Sequence, residues 1–238
     1  GVYITPASRG ASHTSTALAR LDENGAASYT FDLEWAPTAP IEVPETAQII
    51  EAGSISAIIE PGASAVLDAL ARGREHALIF FDPNARPSIM GEPAVALVSL
   101  ERFIALTDVV KVSDEDIEWL TGGAPIDKVV DRWLRLGPSL VVVTRGKHGS
   151  DVATASGVRF TKTPSDVKVV DTVGAGDSFM GGMIDAMWGM GLRGADAREA
   201  LRSLPEEQVR AIIDRASAVS DVTVSRKGAN PPWAHELS

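Results

Sequence analysis

Four short runs of nearly unbroken hydrophobic character punctuate the later part of the chain: ALIFF (77–81), DVVKV (108–112), LVVVT (140–144) and VKVV (167–170). Their apolar positions are continuous rather than alternating, which predicts strands buried on both faces, as in a parallel sheet covered by helices. Between them, 94–106, 114–120 and 126–136 carry apolar residues at helical spacing, with Trp119, Leu120, Val130, Trp133 and Leu134 as candidate core contacts. Further helices are expected near 178–190, 195–202 and 206–220. Strand and helix alternating in this way predict an α/β fold, a mostly parallel sheet flanked by helices in three layers.

The first part of the chain is patterned differently. STALARLD (15–22) and AASYTFDL (26–33) are strand-like runs on either side of Glu23, Asn24 and Gly25, and Asn-Gly between such runs is a strong hairpin signal. Ala17, Ala19, Tyr29 and Phe31 are the candidates for its inner face. The stretch APTAPIEVP (36–44) then reads as an extended connector. A two-stranded hairpin is marginal alone, so the hairpin over 14–34 is expected to serve as a small β lid or a homodimer contact on a single domain spanning 1–238.

Composition narrows the function classes. The chain has 238 residues, 45% hydrophobic and 23% charged, enough for one substantial core. A formal net charge of -10 offers no basic footprint for nucleic acid. The absence of cysteine excludes disulfides, thiolate metal sites and cysteine catalysis. The apolar runs are too short to cross a bilayer and GVYITPASRG lacks the features of a secretory signal, which together predict a cytoplasmic protein with no membrane partner.

In open parallel sheets, ligands bind beyond the carboxyl ends of the strands. The residues standing there are Asp82 to Arg86, Ser113 to Asp116, Arg145 to Gly149, and DTVGAGD (171–177). In the last of these, Gly174, Ala175 and Gly176 precede a helix, and small residues let backbone N–H groups close on an anion at a helix start. The stretch is neither a Walker A loop, which ends in Gly-Lys-Ser/Thr, nor G-x-G-x-x-G, since Phe179 occupies the third glycine position. A carboxylate beside an anion cradle repels phosphate unless it has a task there, such as taking a proton from a substrate hydroxyl, so Asp177 is the candidate general base. Its other reading is a helix cap.

DTVGAGDSFMGGMI (171–184) resembles the second signature of the ribokinase-like (PfkB) carbohydrate kinases along its whole length. DPNARP (82–87), TRGKHG (144–149) and SRKGANPP (225–232) resemble further segments of that family. KVSDEDIEWL (111–120) together with GANPPW (228–233) is most similar to its bacterial fructokinases. The resemblance implies a ribokinase-like fold and ATP-dependent phosphorylation of a sugar primary hydroxyl, with fructose first and 2-keto-3-deoxygluconate, ribose or a nucleoside as alternatives. It further implies Asp177 as catalytic base, an anion hole from Gly174, Ala175 and Gly176, and substrate contacts from Arg86 and Asn84. Thr144, Gly146, Ser217, Gly228 and Ala229 are placed by it near the nucleotide. ATP and Mg2+ are the implied cofactors, and a monovalent cation is left open. A nucleotide-binding module without catalysis is the alternative of a different class.

Two departures from the family pattern bear on these expectations. Where many members carry N-x-x-E, this chain has Ser113 and Asp116, readable as a capping box or as a carboxylate in the magnesium water shell, and both can hold. The Gly-Gly sugar-binding signature is not found, so the chain is expected to be an N-terminally incomplete version of a longer kinase. Asn84 in D-P-N also suits turn chemistry. His13, His76, His148 and His235 show no metal-ligand spacing.

Overall fold

The computed structural model describes residues 2–21 and 27–237, with the backbone alone for 19–21 and 27–29. The N-terminal hairpin forms: β1 (Thr16–Leu21) pairs antiparallel with β2 (Ala27–Asp32), Ala17 opposite Phe31. The Asn24-Gly25 turn and the side chains of Ala19 and Tyr29 lie outside the described residues. Of the expected inner face, Phe31 is half-buried whereas Ala17 is exposed. Glu34 holds the base of the hairpin, one carboxylate oxygen accepting from the Ser12 N–H at 2.9 Å and the Ser12 hydroxyl at 2.7 Å.

The main sheet has six strands in sequence order, β3 (Ile49–Gly53), β4 (Leu78–Asp82), β5 (Val109–Ser113), β6 (Leu140–Thr144), β7 (Ser150–Thr154) and β8 (Arg159–Lys162). β3 to β6 run parallel, and β7 and β8 complete the sheet antiparallel. The helices are α1 (Gly62–Gly73), α2 (Pro87–Met90), α3 (Pro93–Ile104), α4 (Asp114–Thr121), α5 (Ile126–Leu136), α6 (Ala175–Gly189), α7 (Ala197–Arg202) and α8 (Glu206–Val224).

Alternate residues of each central strand feed two separate cores, because successive strand side chains point to opposite faces. Ile79, Phe81, Val110, Val112, Val141 and Val143 pack with Leu70, Leu100, Ile117, Leu120 and the fully buried Trp133 of α1, α3, α4 and α5. Leu78, Phe80, Val109, Leu140 and Val142 pack with Met180, Met183, Met187, Ile212 and Ile213 of α6 and α8. Helices therefore cover both faces, giving the three layers expected. Trp119 and Leu134 lie at the margin of the first core.

One expected strand is absent. VKVV (167–170) runs as irregular chain, because the Val170 and Asp171 N–H groups donate to the Val224 carbonyl at the end of α8, at 2.7 and 3.2 Å, rather than to a neighbouring strand. Outside the sheet, Val169 and Val170 stay 56% and 55% exposed. Conversely, β3, β7 and β8 carry weak or polar patterns and were not legible as elements, whereas α1 carries a clear apolar stripe through Ala63, Val66, Ala69 and Leu70 and lies outside the expected helices all the same. At the amino end of the sheet the buried Asp108 accepts from Arg198 Nε at 2.7 Å and from the Ile79 N–H at 2.9 Å, tying α7 to β4 and β5.

Candidate active site

The glycine-rich stretch forms the N-terminus of α6, which starts at Ala175, earlier than its apolar spacing suggested. The N-cap is Gly174, not Asp177, with φ of +78°, a left-handed conformation that suits glycine. A Cβ built on Gly174 would stand 2.9 Å from the Ala229 Cβ, so the bare backbone also admits the C-terminal loop. The first N–H groups of a helix have no intrahelical acceptor. Here the Ala175 N–H reaches the Thr172 carbonyl at 3.2 Å, while among the described residues those of Gly174, Gly176 and Asp177 have no backbone acceptor. The donors left to an anion thus share Gly174 and Gly176 with the expected set, while the Ala175 N–H is engaged and that of Asp177 joins them.

Asp177, in the first turn of α6, faces two hollows. One, of about 300 Å3, is lined by Glu51, Ser54, Ser56, Asp82, Asn84 and Asp177. The other, of about 510 Å3, opens along α6 and α8 past Gly181, Gly182 and Arg215 to Ala229 and Pro231. Glu51 has substantial exposed surface, yet protein crowds its carboxyl. That crowding, joined by the charges of Asp82 and Asp177, pushes its pKa above the ordinary value against the opposing pull of Lys111. Asp82 is likewise raised, first by burial, with Lys111 opposing. Lys111 Nζ lies 2.5 Å from Asp82 Oδ2, both side chains buried. Neither Glu51, from the unrecognised β3, nor Lys111, inside an apolar strand, was identified from sequence; a lysine at a position predicted to be buried on both faces was the available signal.

The DPNAR segment leaves β4 in a tight turn. Asn84 has φ of +39° and its N–H donates to Asp82 Oδ1 at 3.1 Å, which is the turn chemistry expected of D-P-N. Its side chain nevertheless lines the smaller hollow. Arg86 is exposed and folds back on this turn, its Nη1 donating to Asn84 Oδ1 at 2.7 Å and to the Ala85 carbonyl at 2.9 Å.

Ser113 and Asp116 make a capping box on α4: the Ser113 hydroxyl accepts from the Asp116 N–H at 3.0 Å, and Asp116 Oδ2 accepts from the Ser113 N–H at 3.4 Å. Asp116 Oδ1 also accepts from the Ala85 N–H at 3.0 Å, joining the loops after β4 and β5. Each oxygen retains a lone pair for a metal-bound water, so the residue fits a supporting place beside magnesium. Among the described residues no group of three or more His, Asp or Glu is arranged to hold a metal alone.

On the expected nucleotide side, Thr144 ends β6, its hydroxyl donating to the Val112 carbonyl at 3.3 Å, and Gly146 is exposed with φ of +49°. Gly228 and Ala229 are brought to the cradle by Asp171, which accepts from the Gly228 N–H at 2.8 Å and the Val173 N–H at 3.0 Å. Those two bonds hold the Asp171 carboxyl below its usual range. Ser217 is half-buried on α8, and its hydroxyl makes no hydrogen bond among the described residues. Ser220 and Thr223 are the residues of this helix that reach the cradle, donating to the Ala175 carbonyl at 3.1 Å and the Ser178 hydroxyl at 2.8 Å.

A family profile described as pfkB family carbohydrate kinase matches residues 1–236. The chain is 32% identical over 194 residues to a probable fructokinase-2 of Arabidopsis thaliana, covering 80% of this chain and 56% of that protein. It is 34% identical over 171 residues to a fructokinase of Rhizobium leguminosarum bv. trifolii, covering 69% and 52%. Among solved structures, fructokinase with bound ATP from Xylella fastidiosa superposes with a TM-score of 0.78 at 26% identity, covering 94% of this chain and 70% of that one. The chain spans somewhat over half the length of these curated relatives.

Proposed function

The chain belongs to the pfkB family of carbohydrate kinases, and from that membership we propose that it takes part in transferring the γ-phosphoryl group of ATP to the primary hydroxyl of a sugar, fructose being the expected acceptor. The observation that carries this reading is the position of Asp177, in the first turn of α6, beside free helix-start amides and facing the polar hollow beyond β3 and β4.

In this reading the acceptor sugar lies in the smaller hollow beside Asn84, and the Ser54 and Ser56 hydroxyls, which donate to the Asn84 and Gly53 carbonyls, keep lone pairs to accept from its hydroxyls. Asp177 accepts the proton of the attacking hydroxyl as the oxygen bonds to phosphorus and the bond to the ADP oxygen breaks. The amides of Gly174, Gly176 and Asp177 stabilise charge on the transferring group, an arrangement preorganised by the helix start. Gly146, Gly228 and Ala229 stand on the nucleotide side. Asp116 would hold a water of a magnesium ion bound with the nucleotide, and that ion would supply neutralisation of the phosphate charge. The β1–β2 hairpin is the proposed lid and contact between subunits, and the cytoplasm, where ATP is at hand, the proposed setting.

The test is ADP release from the full-length protein with Mg-ATP and a panel of fructose, 2-keto-3-deoxygluconate, ribose and adenosine, with and without Asp177→Asn. Release with fructose, cut roughly a hundredfold or more by the substitution while ATP still binds, is the expected result. Equal turnover by the variant would remove Asp177 from its role, and ADP release without any sugar would point to a hydrolase.

A further inference from the structure

The hollow beside Asp177 poses an electrostatic problem for the proposed reaction. Glu51, Asp82 and Asp177 all line it, and among the described residues no basic side chain does. A transferring phosphoryl group, itself anionic, would meet this cluster of carboxyl groups on approaching. Helix-start amides contribute only about half a unit of positive charge.

Lys111 is the compensating charge. Its side chain is 5% exposed and rises from β5 to Asp82, itself 6% exposed, with Nζ 2.5 Å from Oδ2. The same ammonium would lie 2.8 Å from a Cβ built on Gly176, directly against the cradle backbone. An ammonium has three N–H donors, and Asp82 is the hydrogen-bonding partner it has among the described residues. Burying an ion pair is seldom the most stable use of a core position, since desolvation offsets much of the attraction, while an apolar pair of like volume often serves equally well. A lysine kept inside a sheet strand and pressed against the anion cradle is placed to act on what binds there, through surroundings that screen its charge weakly.

We infer that Lys111 is a positioning residue of the phosphoryl-transfer site: its buried ammonium holds the Asp82 carboxylate away from the incoming phosphate and lends positive charge to the cradle from beneath Gly176. This inference rests on the kinase reading above. It requires Lys111 to matter more for the transferring group than for either ground-state ligand, because only interactions stronger in the transition state speed the chemical step.

The experiment uses full-length protein, wild type against Lys111→Met and the charge-neutral double variant Asp82→Asn with Lys111→Met. The double variant keeps the interior free of an unpaired charge and gives the decision if the single variant fails to fold. Calorimetry measures binding of Mg-ADP alone and of Mg-ADP with aluminium fluoride, a mimic of the transferring phosphoryl group, in the presence of the sugar that the wild type turns over. The expected result is a loss of roughly tenfold or more in affinity for the aluminium fluoride complex, with Mg-ADP affinity held and melting temperature of the double variant close to wild type. A double variant that folds and keeps the wild-type ratio of the two affinities would overturn the inference and leave the pair purely structural. Absence of sugar-dependent turnover by the wild type would instead overturn the kinase reading.

Discussion

Gly174 and Ala229, far apart in sequence, meet so closely that a methyl group on the glycine would come within 2.9 Å of the Ala229 methyl. The contact joins the start of α6 to the C-terminal loop, and two separate demands, φ of +78° and bare space, fall on one residue. Gly174→Ala is therefore expected to cost about 1–2 kcal/mol from backbone strain alone, and to push the 228–229 loop off the cradle. Thermal unfolding together with the KM for ATP checks this; an unchanged KM would show that the loop does not border the nucleotide.

Asp116 offers a way to separate capping from metal support. Asp116→Ala removes acceptors from both the Ser113 and Ala85 N–H groups and is expected to lower stability by about 1 kcal/mol. Asp116→Asn keeps one acceptor oxygen but loses the charge, and should raise the magnesium concentration needed for half-maximal turnover roughly tenfold. A magnesium titration of both variants decides whether the residue does more than cap α4.

Asp171 predicts a pH effect of definite sign. Its carboxyl is held below the usual range by the Val173 and Gly228 N–H groups, so its folded pKa lies below the unfolded one. The stability it contributes is then complete above the unfolded value, about 3.9, and is lost as pH falls through the folded value. Between pH 5 and 3 the wild type should lose more melting temperature than Asp171→Asn, as read by paired thermal scans; parallel curves would show that the loop tie is not coupled to this carboxyl.

Gly182 is where α6 lies against α8. A Cβ there would stand 2.7 Å from the Ala216 Cα, an atom of the backbone that cannot step aside cheaply. Gly182→Ala is expected to destabilise by about 1–3 kcal/mol through overpacking. Gly181, whose added Cβ would meet nothing within 4 Å, should accept alanine with little change, and chemical denaturation of the pair tests the contrast.

By itself the sequence determined what depends on neighbours along the chain. The apolar runs of β4, β5 and β6 and the helical spacing of α3, α4 and α5 mark their elements, because burial on both faces or on one helical stripe writes a local period. The capping box of Ser113 and Asp116 and the glycine-rich helix start with Asp177 in its first turn were legible for the same reason, since each is closed by residues only a turn apart. VKVV shows the limit: its composition suits a strand, but a strand also needs a partner strand, and the Val170 N–H goes to the Val224 carbonyl instead. Tertiary structure alone decided that Glu51 stands across from Asp177, that Lys111 reaches Asp82 beneath Gly176, and that Ser220 and Thr223 rather than Ser217 touch the cradle. These contacts join elements distant in sequence, and their electrostatics arise from burial and proximity that no linear pattern records.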